Sequence, residues 1–249
     1  MVYILVTNDD GIHAPGILAL AQAMQTIGDV QVAAPSINQS ASGHKKTLFH
    51  DIPIKETTIG AGIPALAVGG SPADCIALAA MGLRQWPPDI VVSGINRGEN
   101  MSQDITYSGT VTAALEAAIQ GIPAVAVSFT KRDADLVEDY YEAARIAQVV
   151  VRHVLAKKLP PLTILNLNIP EGAVKGIRLT RQGVRIYLDE LARDGDVVRI
   201  VGEPPTGILD EAGTDLWAVT NGYASLTPIH LDMTAHRFLA DLAAWDIEI

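Results

Sequence analysis

A single cysteine stands among 249 residues, so no disulfide can form within the chain and the framework of a small secreted domain is excluded. That residue, Cys75, falls in the apolar run Ala73–Ala80, which reads as a buried structural thiol rather than a nucleophile. Basic residues are also few: 18 Lys and Arg against 28 Asp and Glu give a formal net charge of -10. Such a chain repels polyphosphate backbones, which argues against duplex nucleic acid as a partner. Small phosphate esters stay open, because a metal ion reverses the field locally. No apolar run reaches the ~20 residues of a membrane span. No basic segment precedes the first strand-like run, so neither anchor nor signal peptide is expected, and the cytoplasm is the expected location. The histidines lack zinc-like spacing, and no glycine-rich loop closes in Gly-Lys-Ser/Thr, the ending of the nucleotide P-loop.

Apolar residues make up 49% of the chain, enough for a sizeable core. Tyr3–Thr7 predicts a strand, Asn8–Gly11 a turn, and Ile17, Leu20, Ala21, Met24 and Ile27 a helix opened by Pro15 and closed by Gly28. Val30–Ala34 is a second strand, so the chain opens with a βαβ unit and parallel pairing. Further strands are predicted at Ala65–Val68, Asp89–Ser93, Ala124–Ser128 and Leu162–Asn168. They alternate with helices over Pro72–Gly82, Gly109–Gln120 and Leu136–Lys157, and Gly94–Tyr107 reads as a long polar loop. The expected fold class is α/β, a doubly wound, mainly parallel Rossmann-like sheet with helices on both faces, over residues 1–175. From residue 176 the pattern changes. Ile177–Thr180, Val184–Leu188, Val197–Val201 and Leu216–Val219 read as strands with no helix between them, Gly202–Gly213 as a loop, and Thr234–Ala244 as a last helix. Residues 176–249 are therefore expected to form a β-rich projection with oligomer contacts, returning partly to the core.

In doubly wound sheets ligands bind beyond the carboxyl ends of the strands. Three polar loops fall at such ends: Asn8–Gly11, Ser36–Gly43 and Gly94–Asn100. They share hard oxygen. The adjacent carboxylates of Asp9 and Asp10 repel one another unless a cation lies between or beside them. Hydroxyls and amides at Ser36, Asn38, Ser40, Ser42 and Asn96 are available to complete a sphere suited to Mg²⁺, Mn²⁺ or Ca²⁺. An Asp-Asp-Gly turn with a helix-capping carboxylate would use the same residues. Tyr107–Thr112 opens a helix, where free N–H groups and the dipole favour an anion. Ser108 and Thr110 add hydroxyls and Gly109 permits close approach, although either hydroxyl also suits an N-cap. Gly69–Pro72 is a similar, weaker turn. Lys45, Lys46, Arg97, His13 and His44 lie in or near these loops, as substrate contacts or as solvated surface.

The run Ile4–Ile17, ILVTNDDGIHAPGI, resembles the signature of the SurE survival-protein family of nucleotide phosphatases. Asn38–Gly43 (NQSASG), Gly70–Cys75 (GSPADC), Ser93–Asn100 (SGINRGEN) and Tyr107–Val111 (YSGTV) follow in family order. Gly121–Ser128, Leu165–Pro170 and Thr214–Ala235 extend the resemblance to the C-terminal part. It implies a metal-dependent phosphatase of nucleoside 5′- and 3′-monophosphates, in some members also of short polyphosphate. It implies one divalent cation per subunit, Mg or Mn with Ca as a substitute, held by Asp9, Asp10, Ser40 and Asn96. Ser108, Gly109 and Thr110 match the family's phosphate-binding turn, and Asp9, Asp10 and Asn96 are the implied catalytic residues. A homodimer or homotetramer with exchanged C-terminal elements is implied as well. Leu188–Gly213 departs from the pattern, and Glu99 stands where a small residue is usual, so an extra carboxylate is expected to disfavour highly charged substrates. The other classes open at this point are a nucleotide-binding module without turnover, an aspartyl-phosphate phosphotransferase, and a structural oligomer in which the acidic loop is only a turn. The phosphotransferase class places its two aspartates two apart, which the adjacent pair here argues against.

Overall fold

A continuous run of β-branched, aliphatic and aromatic side chains makes β1 (Tyr3–Thr7) a strand buried on both faces. The computed structural model describes residues 1–245 and 247. Around β1 it assembles β2 (Asp29–Pro35), β3 (Ile54–Ile59), β4 (Ile63–Val68), β5 (Ile90–Arg97), β6 (Ala124–Phe129), β7 (Thr163–Ile169) and β8 (Ile177–Leu179). A separate hairpin, β9 (Arg185–Asp194) and β10 (Val197–Gly207), precedes the last strand, β11 (Ala224–His230). Nine strands form one sheet in the order β3-β4-β2-β1-β5-β6-β7-β11-β8. From β4 to β7 all neighbours are parallel. Outside that block β3 runs antiparallel to β4 at one edge, and on the other side β11 runs antiparallel to β7 and parallel to the edge strand β8.

Helices cover both faces. Ile4 and Val6 of β1 join one apolar cluster with α1 (Pro15–Met24) and the long helix after β6, Tyr141–Lys157. Leu5 points the other way, into a cluster with α2 (Pro72–Leu78) and α3 (Gly109–Ile119). The helix at Tyr141–Lys157 is α4, and α5 (Asp215–Thr220) and α6 (Leu239–Ala243) follow in the C-terminal part. From β1 the chain winds outward through β2 and β4, then restarts at β5 on the other side of β1 and winds through β6 and β7. The direction of winding reverses between β1 and β5, and that crevice is where an open α/β sheet binds its ligand. The doubly wound α/β expectation agrees with this architecture.

Several local expectations need correction. Leu216–Val219 lies in α5, not in a strand. Thr214 caps it, its hydroxyl accepting from Trp217 N–H at 3.2 Å, and a four-residue apolar run carries no period to distinguish helix from strand. Strand β3 escapes a hydrophobic reading because it is an edge strand rich in Lys, Glu and Thr. The stretch Gly202–Gly213 is not all loop, since β10 runs to Gly207. The pairing shifts register between Glu203 and Thr206, where Pro204 and Pro205 remove ladder donors. The loop Gly94–Tyr107 is shorter than expected at its start, because β5 continues to Arg97, and Ser102–Thr106 forms a 3₁₀ turn. The last helix spans Leu239–Ala243 rather than Thr234–Ala244.

Candidate metal and phosphate site

Asp9 and Asp10 leave β1 at the crevice, and β5 brings Asn96 to it from the neighbouring strand. A bulge sets that placement: Ser93 faces Ala126, but Asn96 faces Ser128, so β5 carries one extra residue. The bulge sits at Gly94, with φ +143 and the carbonyl oxygen of Val127 only 2.3 Å from where a Cβ would stand. No other residue fits there.

Asp9 is 2% exposed. Its Oδ1 accepts the Thr110 hydroxyl at 2.5 Å, and its backbone carbonyl accepts the N–H of Gln39 at 2.7 Å. One residue thereby joins the end of β1, the loop after β2 and the start of α3. Burial pushes the Asp9 carboxyl up to about 6, against the Thr110 bond, and the neighbouring charge of Asp10 adds to the rise. Asp10 is raised as well, by burial first, with Arg97 opposing. Its Oδ2 accepts the backbone N–H of Arg97 at 2.9 Å. The side-chain amide of Asn96 donates to Gly98 O at 2.9 Å, so its Oδ1 is left as a donor atom toward a cation. Asn38 Oδ1 accepts from Ser40 N–H at 2.8 Å and so shapes the loop that presents the Ser40 hydroxyl. The buried Ser42 hydroxyl has no partner among the described residues. Two crowded carboxylates with raised pKa values, an amide oxygen and a hydroxyl are hard donors that fit a divalent cation.

At α3, the Ser108 hydroxyl accepts from Val111 N–H and the Thr110 hydroxyl is engaged by Asp9. Both hydroxyls therefore serve the protein, and the free donors of the turn are its first backbone N–H groups. Gly109 lets them approach: a Cβ there would lie 2.7 Å from Asp9 Cβ and 3.0 Å from Pro72 Cγ. The turn Gly69–Pro72 is filled from within. Ser71 and Asp74 form a capping box at α2, and Asp74 also accepts from the N–H and hydroxyl of Thr47.

A cavity of about 630 Å³ opens beside these groups, lined by Asp10, Ser40, Arg97, His13, Ile37 and Tyr140 among others. His44 and Lys46 are elsewhere. Both pair with Glu116 on α3, at 3.1 and 3.0 Å. Glu99 does not face the crevice as a free charge, because Arg132 and Arg185 bond it at 3.0 and 2.9 Å. Burial alone would raise its carboxyl; its own backbone and the two arginines more than offset this and hold it below the usual range. The expected penalty on charged substrates therefore loses its physical basis. Cys75 is buried and its thiol pushed well up by burial, so it is inert. Sequence reading passed over Glu116, Asp215 and Arg185. Their partners lie far away in the chain, and no local pattern marks them.

Comparison with known proteins gives these positions a context. Residues 4–189 match the family model described as Survival protein SurE. A protein of Chloroflexus aggregans named 5'-nucleotidase SurE is 45% identical, over 99% of this chain and 100% of its own length. One of Thermus thermophilus named 5'-nucleotidase SurE 1 is 46% identical, over 96% of each chain. The crystal structure of the SurE protein from Aquifex aeolicus superposes with a TM-score of 0.82 at 40% identity, covering 96% of this chain and 98% of that one. Identity of this order, sustained across nearly the whole length in sequence and in fold, leaves one assignment: the chain belongs to the SurE survival-protein family.

Proposed function

We propose that this chain is a divalent-metal-dependent phosphatase that hydrolyses nucleoside monophosphates to nucleoside and phosphate. The observation that carries the reading is the meeting, at the β1–β5 switch point, of Asp9 and Asp10 with the N-terminal turn of α3, closed by the Thr110–Asp9 bond. The names of the relatives, 5'-nucleotidase SurE, support the substrate class. The residues that would hold the cation are Asp9, Asp10, Ser40 and Asn96, and Mg²⁺ or Mn²⁺ suits them. When bound, it would neutralise phosphoryl oxygens and polarise a water.

The remaining steps belong to the chain. The first N–H groups of α3, at Gly109 and Thr110, take the non-bridging oxygens, whose charge grows in the loose transition state. Asp9 orients the attacking water and accepts its proton. The oxygen of water bonds to phosphorus, the ester P–O bond breaks, and the leaving alkoxide takes a proton from solvent water, while Asp9 returns its own proton to solvent. The nucleoside occupies the cavity beside Asp10, between the start of α1 and the loop carrying Ile37 and Ser40. In that cavity 3′-monophosphates and short polyphosphates are further substrates to assay.

Residues 1–175 are proposed as the catalytic unit, and residues 176–249 as the projection and oligomer elements, with β8 and β11 rejoining the sheet. The pairing of β9 and β10 with each other alone supports that division. Among the described residues no helix is long and apolar enough to cross a membrane, and the lone Cys75 suits a reducing compartment, so the cytoplasm is the proposed location.

The test is phosphate release from a panel of nucleoside monophosphates after chelation, with Mn²⁺ or Mg²⁺ restored, for the wild type and for Asp9→Asn. Turnover that returns with metal and falls by three orders of magnitude or more in the variant is expected. Full activity of Asp9→Asn would overturn the role of Asp9. Nucleotide binding without turnover under every metal would make this a binding module instead.

A further inference from the structure

The segment at residues 98–107 runs from the end of β5, one residue past Asn96, to Ser108, the cap of α3. It therefore connects a proposed metal ligand to the proposed phosphate turn. The sheet holds its start: Gly98 N–H donates to Phe129 O at 2.8 Å, and the buried Asn100 bonds Ser128 of β6 and Asn166 and Asn168 of β7. The C-terminal part holds Glu99 and the stretch from Ser102 to Asp104. Asp215 is fully buried at 0% exposure. It accepts Ser102 N–H at 2.7 Å, the Ser102 hydroxyl at 3.2 Å, and the N–H groups of Gly183 and Leu216 at 2.8 Å each. Ser102 has φ +54, a conformation a serine rarely adopts unless the surroundings impose it. The Arg185 side chain, 7% exposed, forks between Glu99 at 2.9 Å and Asp104 at 2.7 Å. Its backbone N–H donates to Gln103 Oε1 at 2.8 Å. Arg185 is the first residue of β9, so the root of the hairpin is bolted to the segment by a buried charge between two carboxylates.

We propose that Arg185 and Asp215 are positioning residues for the reaction: acting through residues 98–107, they set the placement of Asn96 against the start of α3. Neither reaches the crevice, and neither touches substrate. The argument is geometric. The sheet fixes the segment at Asn100, and the contacts at Glu99, Ser102 and Asp104 remove the freedom that remains between that point and the start of α3; small misplacements of catalytic groups are costly. The proposal rests on the phosphatase reading for its kinetic part, and on metal binding alone for its other part, so the two fail separately.

The test compares Arg185→Met with Arg84→Met. Arg84 is a similarly covered arginine, 8% exposed and paired with Glu56 at the far edge of the sheet. For each, thermal stability, equilibrium Mn²⁺ binding by dialysis, and kcat and KM on a nucleoside monophosphate and on phenyl phosphate are measured. Arg185→Met is expected to lose roughly tenfold or more in kcat on both esters and to bind Mn²⁺ several-fold more weakly. Arg84→Met is expected to lose similar thermal stability while kcat and Mn²⁺ binding stay within about twofold of the wild type. Arg185→Lys is expected to recover part of the loss, and Glu99→Gln to show the same direction at smaller size. If Arg185→Met does not fold, these two milder variants decide by the same readouts. Unchanged Mn²⁺ binding and kcat in the folded Arg185 variants would overturn the proposal. Weakened Mn²⁺ binding in a protein whose wild type turns over no ester would keep it and sink the phosphatase reading. A wild type that neither binds Mn²⁺ nor turns over would overturn both.

Discussion

At Gly109 the absence of a side chain is what lets the start of α3 lie against Asp9. Glycine in the first turn of a helix is ordinarily a weakness, and replacing it with alanine ordinarily adds about 0.5–1 kcal/mol. Here the added methyl would stand 2.7 Å from Asp9 Cβ and 3.0 Å from Asp9 Oδ2, so either the carboxylate or the helix start has to move. The expected outcome of Gly109→Ala is a loss of about 1–3 kcal/mol of stability, the usual cost of overpacking. With it comes a fall in kcat on the order of 10–100-fold, because the donors of α3 and the carboxylate of Asp9 no longer meet. Thermal unfolding and phosphate release on the same sample check both. A rise in stability with full activity would show that this approach is not tight. Thr110→Val tests the neighbouring contact. Loss of its hydroxyl leaves one oxygen of a buried carboxylate without its donor, and about 1–3 kcal/mol is expected to go with it, whereas Thr110→Ser keeps the bond and is expected to stay near the wild type.

The loop after β2 is the element whose order depends most on distant charges. Residues 36–51 carry Ser40, yet they have almost no regular structure. Glu116, its side chain 4% exposed, fastens the loop to α3 through His44 and Lys46, and also accepts from Gln120 at the end of the helix. Burial alone would raise its carboxyl, but these partners outweigh burial and hold it below the usual range. A lowered carboxyl contributes stability that is present above its unfolded pKa, about 4.3, and lost as pH falls through the folded value. Glu116→Gln is therefore expected to be less stable than the wild type by about 1–3 kcal/mol at pH 7, with a gap that closes on titration below about pH 4. Denaturant melts across that range measure it, and a gap independent of pH would count against the charge.

The same element shows what the sequence could and could not convey. Local signals carried the parallel strands, the helices between them, and the turn residues Asp9, Asp10 and Gly109, because strand-end chemistry is written into contiguous residues. Glu116, Asp215 and Arg185 act across 70, 113 and 86 residues of chain respectively, and no window along the sequence contains both halves of such a pair. Leu216–Val219 was misread for the opposite reason. The run is contiguous, but it is too short to show a period, and its cap at Thr214 was the better signal.

On the scale of the whole molecule, the hairpin β9–β10 is the part that does not look finished. Among the described residues its strands pair only with each other, and a lone two-stranded ribbon is marginal in water. Leu191, Val197, Val198 and Ile200 are 69%, 61%, 57% and 80% exposed, an apolar surface that a monomer would have little reason to keep. Arg185 and Tyr187 fix only the root, through Asp104 and Glu99. A second copy of the chain covering the outer strands would bury this surface, and a stable contact needs roughly 1,000 Å² or more in total. The double variant Leu191→Asp and Ile200→Asp places a charge on each strand of the ribbon and leaves its root intact. It is expected to shift the protein to a smaller species in sedimentation velocity while circular dichroism of the core stays unchanged. If that smaller species keeps its kcat, the root contacts alone suffice to hold residues 98–107. If kcat falls with the change in assembly while Mn²⁺ binding holds, the partner subunit contributes to turnover beyond what Arg185 and Asp215 supply. An unchanged sedimentation coefficient would show that the ribbon is not where copies meet.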